Sequence, residues 1–359
     1  MGAFFLMKHF DYIVVGQGLA GTLLTHRLLK LGKNVLVIDK LREITSSKVA
    51  LGAYNPMVLK RFTPCWNVEN QIQPLYDFIT EFEKEFKVTI HQPIKLWRLF
   101  NSVQEQNLWL EKSEKIRLQP FMNPNFISNP HKSIIADFGF GEVNHSGRVL
   151  LTKMINVFRN KLKNNSCLLD ESFDFSQFTS TESSVTYKSY SAAKIIFCEG
   201  HRLTLNPYFN YLPLMRTKGE LLTVRIKDVN ITEHIKSSVS ILPLGDDKYK
   251  IGATFNWDEK DELCTDKAKE DLLQRLASIV KVPVEVIKQE AGIRPTVKDR
   301  RALIGKHPKH VNMYVFNGLG ARGLLISPLL SKQFVDHLEN GNPLDPEVNI
   351  NRYEEEYPC

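Results

Sequence analysis

Residues 10–40, FDYIVVGQGLAGTLLTHRLLKLGKNVLVIDK, decide the fold. Tyr12 to Val15 form an apolar run closed by glycine, the pattern of a strand buried on both faces. Gly16, Gly18 and Gly21 follow at G-x-G-x-x-G spacing. Leu19, Leu23, Leu24, Leu28 and Leu31 then recur at helical spacing until Gly32, and residues 34–38 make a second apolar strand ending at Asp39. Strand, glycine turn, helix, strand and terminal carboxylate stand in the order of a dinucleotide-binding unit. The first glycine permits the tight turn, the second lets a pyrophosphate approach the backbone, and the third lets helix and strand pack closely. The helix N-terminus offers unbonded N–H groups and a positive dipole end to phosphates. Asp39, 18 residues after Gly21, is spaced to accept hydrogen bonds from an adenosine ribose. An acidic residue there argues against a 2′-phosphate and hence against NADP; FAD and NAD both remain open.

Working outward, the 359 residues suffice for two domains with substantial cores. With 43% hydrophobic and 24% charged residues the composition is that of an ordinary globular protein, and no apolar run approaches the length of a membrane span. Cys65, Cys167, Cys198, Cys264 and Cys359 are scattered without a C-x-x-C, which predicts reduced thiols in a cytoplasmic protein and neither a disulfide framework nor a metal site. Residues 3–7 are too short for a signal-peptide core, and Met7 reads as an alternative start. The net charge of +7 permits an anionic partner without requiring one. Only KDRRALIGKHPKH, residues 298–310, is densely basic, with Lys298, Arg300, Arg301, Lys306 and Lys309. It reads first as a solvated loop and second as a patch facing RNA or substrate.

After Asp39, the stretch LREITSSKVALGAYNPMVLKRFT carries more small residues than a surface loop would, which predicts backbone packing against a flat ligand. Leu75, Phe78, Ile79, Phe82 and Phe86 fall on one helical face within 68–87. Residues 88–140 turn aromatic and rich in Asn and Pro, as in an inserted layer of strands. A helix is predicted over 149–162, then short strands at 167–169, 185–190 and 194–198, the last closing on Glu199 and Gly200. From Gly219 to Gly252 the alternation of GELLTVRI, SVSILP and KYKIG predicts an antiparallel sheet, with a turn at 245–247. Thr265 caps a helix over 266–280, followed by a strand at 284–290. The last third returns to a strand at 313–316, a glycine loop GLGARG and a helix over 324–338. The fold class is therefore α/β with α+β character: a Rossmann-like FAD/NAD(P)-binding domain joined to a β-rich domain of antiparallel sheet.

This arrangement resembles the D-amino-acid oxidase and glycine oxidase (DAO) family of FAD-dependent oxidoreductases over nearly the whole chain. The resemblance rests on the glycine fingerprint, SSKVALGAYNP, KGELLTV, ILPLGDDKYKIGAT, GIRPTVKDRRALIGKHP and GLGARGLLISP. It implies FAD rather than NAD, and a discontinuous FAD-binding domain of residues 7–87, 141–210 and 291–359 with a substrate domain of 88–140 and 211–290. Carried over residue by residue, it implies that Gly16, Gly18, Leu19, Ala20 and Gly21 cradle the pyrophosphate and that Asp39 and Lys40 hold the adenosine ribose. Asp39 replaces the family's commoner glutamate. Ser46, Ser47, Ala50 and Gly52 match the stretch beside pyrophosphate and flavin, Phe175 the backbone contact to adenine, and Gly200 the end of the strand beneath the cofactor. Gly318, Leu319, Gly320, Arg322, Gly323 and Leu324 match the segment around the pyrimidine edge of the isoalloxazine.

Arg294, in GIRP, matches the family arginine that grips the substrate carboxylate, for which a planar guanidinium offers two parallel donors. Ser240 stands where the family commonly supplies a tyrosine hydroxyl, which implies a larger pocket. GLGARG, with Arg322, is also similar to the oxidase domain of the bifunctional enzyme that makes 5-methylaminomethyluridine in tRNA; its methyltransferase partner domain has no counterpart in this sequence. The chemistry implied is hydride transfer from a C–H beside an amine to flavin N5, giving an imine that hydrolyses, with no general base required. His201, His307 and His310 read as surface or loop histidines without partners. The expected partner is a small amine or amino acid, with no membrane. A tRNA-modifying oxidase and a flavin-binding protein without turnover are the alternatives; oligomeric state, electron acceptor and covalent attachment of the flavin are left open.

Overall fold

A computed structural model describes residues 7–357, so the expectations for residues 3–6 and Cys359 lie outside the described residues. The chain forms two compact units, each assembled from separate segments: residues 1–48, 151–216 and 294–359 in the first, and 49–150 and 217–293 in the second.

The first unit is built on a parallel sheet. Lys8–Val15 lies between Val35–Ile38 and Tyr190–Phe197, both parallel to it. Leu168–Leu169 extends the sheet beyond Val35–Ile38, and Met313–Asn317 pairs parallel to the end of Tyr190–Phe197. Two antiparallel additions complete it: Leu303–Lys306 on Met313–Asn317, and a hairpin of Phe178–Ser180 and Val185–Tyr187. Val35–Ile38 is buried throughout, as a strand covered on both faces must be. The helix Leu19–Lys30 packs against Leu151–Asn164 and against Gly323–Asn340. Because the first crossover runs to one side of Lys8–Val15 and the next to the other, the carboxyl end of that strand is a topological switch point, where open α/β sheets bind ligands.

The second unit carries an eight-stranded sheet whose order begins at Glu285–Val297 and passes through Leu214–Arg225, Lys248–Gly252, Ser240–Gly245, His234–Lys236 and Leu96–Leu99 to Phe140–Val143 and Met122–Ile127. The antiparallel alternation expected over 219–252 is present, but the sheet is mixed: His234–Lys236 runs parallel to Leu96–Leu99. These two strands come from different segments of the chain, so no tight turn dictates their relative direction. Leu272 and Leu276 of the helix Asp266–Ala277 pack with Leu222, Val224, Ile241 and Ile251 in the core beneath it.

All four expected boundaries move. Residues 49–87 and 141–150 belong with 88–140, because Gly147–Val149 pairs with both Ala53–Tyr54 and His91–Gln92 and holds 49–150 together. Residues 211–216 join the first unit and 291–293 the second, both inside long strands that cross the boundary.

Candidate functional site

At the switch point the three glycines are required by contact. Gly16 has φ +99°, and a Cβ on it would stand 2.6 Å from the Cys198 carbonyl oxygen. A Cβ on Gly21 would stand 1.8 Å from the Gly16 carbonyl oxygen, so only glycine lets helix and turn approach. Gly18 is the N-cap of Leu19–Lys30 and supplies no side chain to its orphan amides. The hydroxyl of Ser47 accepts from Leu19 N–H at 3.1 Å and lies 3.2 Å from where a Gly18 Cβ would be. A serine hydroxyl over a bare helix N-terminus, with backbone open beside it, is a cradle suited to phosphate oxygens.

Asp39 lies at the end of Val35–Ile38, held on every side. Its Oδ1 accepts from Gln17 N–H at 3.0 Å and its Oδ2 from Arg159 Nη1 at 2.6 Å. Arg159 also donates to the Asp39 carbonyl at 2.9 Å and pairs with Asp170 at 3.0 Å. The Leu41 N–H, foremost, and Arg159 hold the Asp170 carboxyl down at about 2. Sequence reasoning missed Arg159. Its signal was its place on the buried stripe of the helix with Ile155 and Leu162, where a charged residue has to find a partner. The Asp39 side chain keeps 27% exposure, which leaves room for a ribose hydroxyl to share it. Lys40 is exposed beside it.

The C-terminal loop packs on the strand that carries Arg294. Gly318 has φ +69°, and a Cβ there would stand 2.9 Å from Val297 Cγ2. Gly320 has φ +57° and rests on Thr296 and Pro295, the residues that follow Arg294. Asn317 Nδ2 donates to the Gly200 carbonyl at 3.0 Å, and Gly318 N–H donates back to Asn317 Oδ1 at 2.8 Å, joining the ends of two neighbouring strands. Arg322 caps Gly323–Asn340, and a Cβ on Gly323 would stand 3.2 Å from Leu19 Cδ2. The N-termini of two long helices therefore meet, with Leu319 and Leu324 buried at the junction. Two neighbouring positive helix ends suit a ligand that carries negative charge. Beside them Glu199, whose Oε2 accepts from Asn206 Nδ2 at 2.7 Å, is pushed by burial up to about 7.

Burial lowers the Arg294 guanidinium to about 10, so it remains charged at neutral pH while largely out of water. Ser240 is fully buried, and its hydroxyl hydrogen-bonds His234 Nε2 within the second unit. The Phe175 side chain stacks on Phe197 at a centroid distance of 6.1 Å, as part of an aromatic cluster with Phe173 and Tyr208. Ser46, Ala50 and Gly52 lie on the stretch around Ser47; Gly52, at φ +69°, accepts from Val149 N–H at 2.8 Å.

The histidines differ from expectation. His307 is fully buried: its Nδ1 accepts from the Lys309 and His310 N–H groups at 3.0 and 3.1 Å, so Nε2 carries the proton donated to the Tyr208 carbonyl. Its ring also lies against those of Phe209, Tyr211 and His310. His201 is half-buried, and burial, with Arg216 and other cations nearby, lowers it to about 4. In the basic stretch 298–310, Arg301 and Lys309 are engaged within the chain, while Lys298, Arg300 and Lys306 are exposed. Arg301 pairs with Glu347 at 2.9 Å, Asp299 accepts from Arg352 and Tyr353, and Lys309 lies over the Tyr357 ring. Among the described residues no group of three or more His, Cys, Asp or Glu could hold a metal, Cys65, Cys167, Cys198 and Cys264 are free thiols, and no helix is long and apolar enough to cross a membrane.

Comparison with known proteins gives the same fold. The family model described as FAD dependent oxidoreductase (DAO) matches residues 172–337. A glycine oxidase of Bacillus licheniformis is 24% identical, over 95% of this chain and 96% of its own length. The tRNA 5-methylaminomethyl-2-thiouridine biosynthesis bifunctional protein MnmC of Idiomarina loihiensis is 25% identical over 152 residues, which is 40% of this chain and only 24% of that protein. Among solved structures, the glycine oxidase of Geobacillus kaustophilus superposes with a TM-score of 0.77 at 17% identity, covering 96% of this chain and 98% of its own. The iminodiacetate oxidase of Chelativorans sp. BNC1 does so with a TM-score of 0.78 at 16% identity, with the same coverage.

Proposed function

We propose that this chain, which is similar to the DAO family of FAD-dependent oxidoreductases, oxidises the C–N bond of an amino acid or secondary amine, with the first unit holding FAD and the second bounding the substrate. FAD, when bound, supplies the two-electron acceptor, taking a hydride at N5 and leaving an imine that water hydrolyses. The chain's own part is to bind and orient. Gly16, Gly18, Leu19, Ala20 and Gly21, with Ser46, Ser47, Ala50 and Gly52, hold the pyrophosphate. Asp39 and Lys40 hold the ribose, Phe175 offers backbone to adenine, and Gly200 underlies the cofactor. Gly318, Leu319, Gly320, Arg322, Gly323 and Leu324 take the isoalloxazine end, where a helix N-terminus stabilises negative charge.

The observation that carries this reading is Arg294. Its desolvated guanidinium is on the strand against which the glycine loop packs, and two parallel N–H donors fix a carboxylate in one orientation. Ser240, turned into a hydrogen bond with His234, acts on the pocket through its small size rather than as a donor to substrate. A tRNA-directed reading has less support, because the match to the tRNA-modifying bifunctional protein covers only 24% of that protein and Arg301 of the basic stretch is paired with Glu347.

The test is anaerobic reduction of the bound flavin by glycine, sarcosine, iminodiacetate, D-amino acids and N-carboxymethyl amines. At least one amine is expected to bleach the flavin, and Arg294→Ala to slow that reduction about 100-fold. A flavin that none of these amines reduces removes the reading.

A further inference from the structure

Two neighbouring parallel strands of the first unit leave their sheet in the same way. Phe197 of Tyr190–Phe197 pairs with Val315 of Met313–Asn317, and each chain turns away at the third residue beyond that pair, Gly200 and Gly318. Both glycines hold left-handed backbone, at φ +59° and +69°. Gly200 borders open space, since a Cβ built on it meets no atom within 4 Å. Gly318 is braced: a Cβ on it would stand 2.9 Å from Val297 Cγ2 and 3.0 Å from Leu303 Cγ. Packing therefore holds the glycine loop on the side of Val297 and Leu303. On the side of Gly200 a polar contact holds it.

That contact is the side chain of Asn317, which is 2% exposed. Its Oδ1 accepts from Gly318 N–H at 2.8 Å and its Nδ2 donates to the Gly200 carbonyl at 3.0 Å. The amide fits only one way round, because the Gly318 N–H needs the oxygen and the Gly200 carbonyl needs the nitrogen. A carboxamide carries donor and acceptor on one rigid plane; a carboxylate lacks the donor, and alanine lacks both. Glu199, beside Gly200, turns instead to Asn206 Nδ2 at 2.7 Å. Asn317 thus ties the strand end assigned to lie beneath FAD to the loop assigned to the isoalloxazine end, wholly within the first unit.

We propose that Asn317 is a positioning residue for the cofactor: its amide fixes the loop 318–324 against the end of the Tyr190–Phe197 strand, so that both segments meet FAD at one spacing. It acts through Gly200 and Gly318. The inference rests on the assignment of FAD to these two segments.

Asn317→Asp tests it on the FAD-loaded protein, because a buried aspartic acid has two forms. As a carboxylate it sets an oxygen against the Gly200 carbonyl. Protonated, it reproduces the amide, its O–H donating to Gly200 and its other oxygen accepting from Gly318. Burial raises a carboxyl pKa, so mild acid restores the second form. FAD release on dilution is followed by the rise of flavin fluorescence at about pH 8 and about pH 5.5. Each variant is compared with the wild type at the same pH, so that titration of the neighbouring Glu199 cancels. Asn317→Asp is expected to hold FAD about 100-fold more weakly than the wild type at the higher pH and within about tenfold at the lower. Asn317→Ala, which has no second form, is expected to be about tenfold weaker at both. The visible circular dichroism of the bound flavin, recorded with FAD in excess, is expected to change in both variants. Where Asn317→Asp does not fold, the Kd and dichroism of Asn317→Ala decide. A lower melting temperature with unchanged Kd and unchanged flavin dichroism would make Asn317 a stabilising residue alone and overturns the proposal, as does an Asn317→Asp protein equally weakened at both pH values. A wild-type protein that takes up no FAD overturns the FAD reading and the proposal together.

Discussion

Arg294 can be probed without removing its charge. Lysine at this position keeps a cation but presents a single point charge on a flexible stem, whereas the guanidinium offers two parallel donors to a carboxylate. Arg294→Lys is therefore expected to lower kcat/KM by about 10- to 100-fold, equivalent to about 1.4–2.8 kcal/mol. An unchanged kcat/KM for every carboxylate-bearing amine would show that the fork does not bind substrate. Arg159 makes a second residue-level prediction. It is 5% exposed and bridges Asp39 and Asp170, so Arg159→Leu strands two carboxylates. Both carboxylates keep about a third of their exposure and other donors, so the loss is that of charge-assisted hydrogen bonds, about 1–3 kcal/mol. A lower urea midpoint together with weaker FAD retention is expected; a variant that retains FAD like wild type would separate Asp39 from cofactor binding. Asp39 was legible because it belongs to a local motif, counted from three glycines. Arg159 was not, since it is 120 positions away from the aspartate it serves. Ser240 was likewise visible as a small hydroxyl, while its bond to His234 depends on two strands meeting.

Elements whose pattern is local were read almost to the residue. The buried stripe Leu151, Met154, Ile155, Phe158 and Leu162 appears on the helix Leu151–Asn164 where its 3.6-residue period put it. The turn at 245–247 carries Asp246 and Asp247 at φ +51° and +56°, the two left-handed residues that a type I′ hairpin needs, and Asp tolerates that region better than most residues. What the period could not reveal is which strands pair across distance. Residues 49–150 are one body because Arg148 pairs with both Ala53 and Gln92, a register that no local signal encodes. At this scale the sharpest test is Gly21. A methyl group there would lie 1.8 Å from the Gly16 carbonyl oxygen, and rigid backbone on both sides cannot yield that much. Gly21→Ala is expected to push the helix off the turn and give protein without the flavin absorbance band, read directly from the visible spectrum. A yellow Gly21→Ala protein would mean that the pyrophosphate is held elsewhere.

Among the described residues four histidines are lowered by burial: His201 and His307 to about 4 in the first unit, His234 to about 3 in the second, and His91, also in the second. An unfolded histidine titrates near 6.5, so below that pH the unfolded chain binds protons that the folded chain refuses. Stability from these groups is complete above pH 6.5 and is lost as pH falls towards 4, by up to about 1.4 kcal/mol per pH unit for each histidine. Glu199 acts in the opposite sense. Raised to about 7, it destabilises the fold progressively from about pH 4.5 up to 7, so acidification relieves one group while it strains the four histidines. Asp170, held at about 2, enters only below the unfolded carboxylate range, which leaves pH 6.5 to 4.5 to the histidines and Glu199. The urea midpoint is therefore expected to fall between pH 6.5 and 4.5. His307→Gln and His234→Gln should each flatten that fall by about one histidine's share, and Glu199→Gln should steepen it while raising stability at pH 8. A midpoint that holds constant over this range in the wild type would mean that the imidazoles accept protons without unfolding.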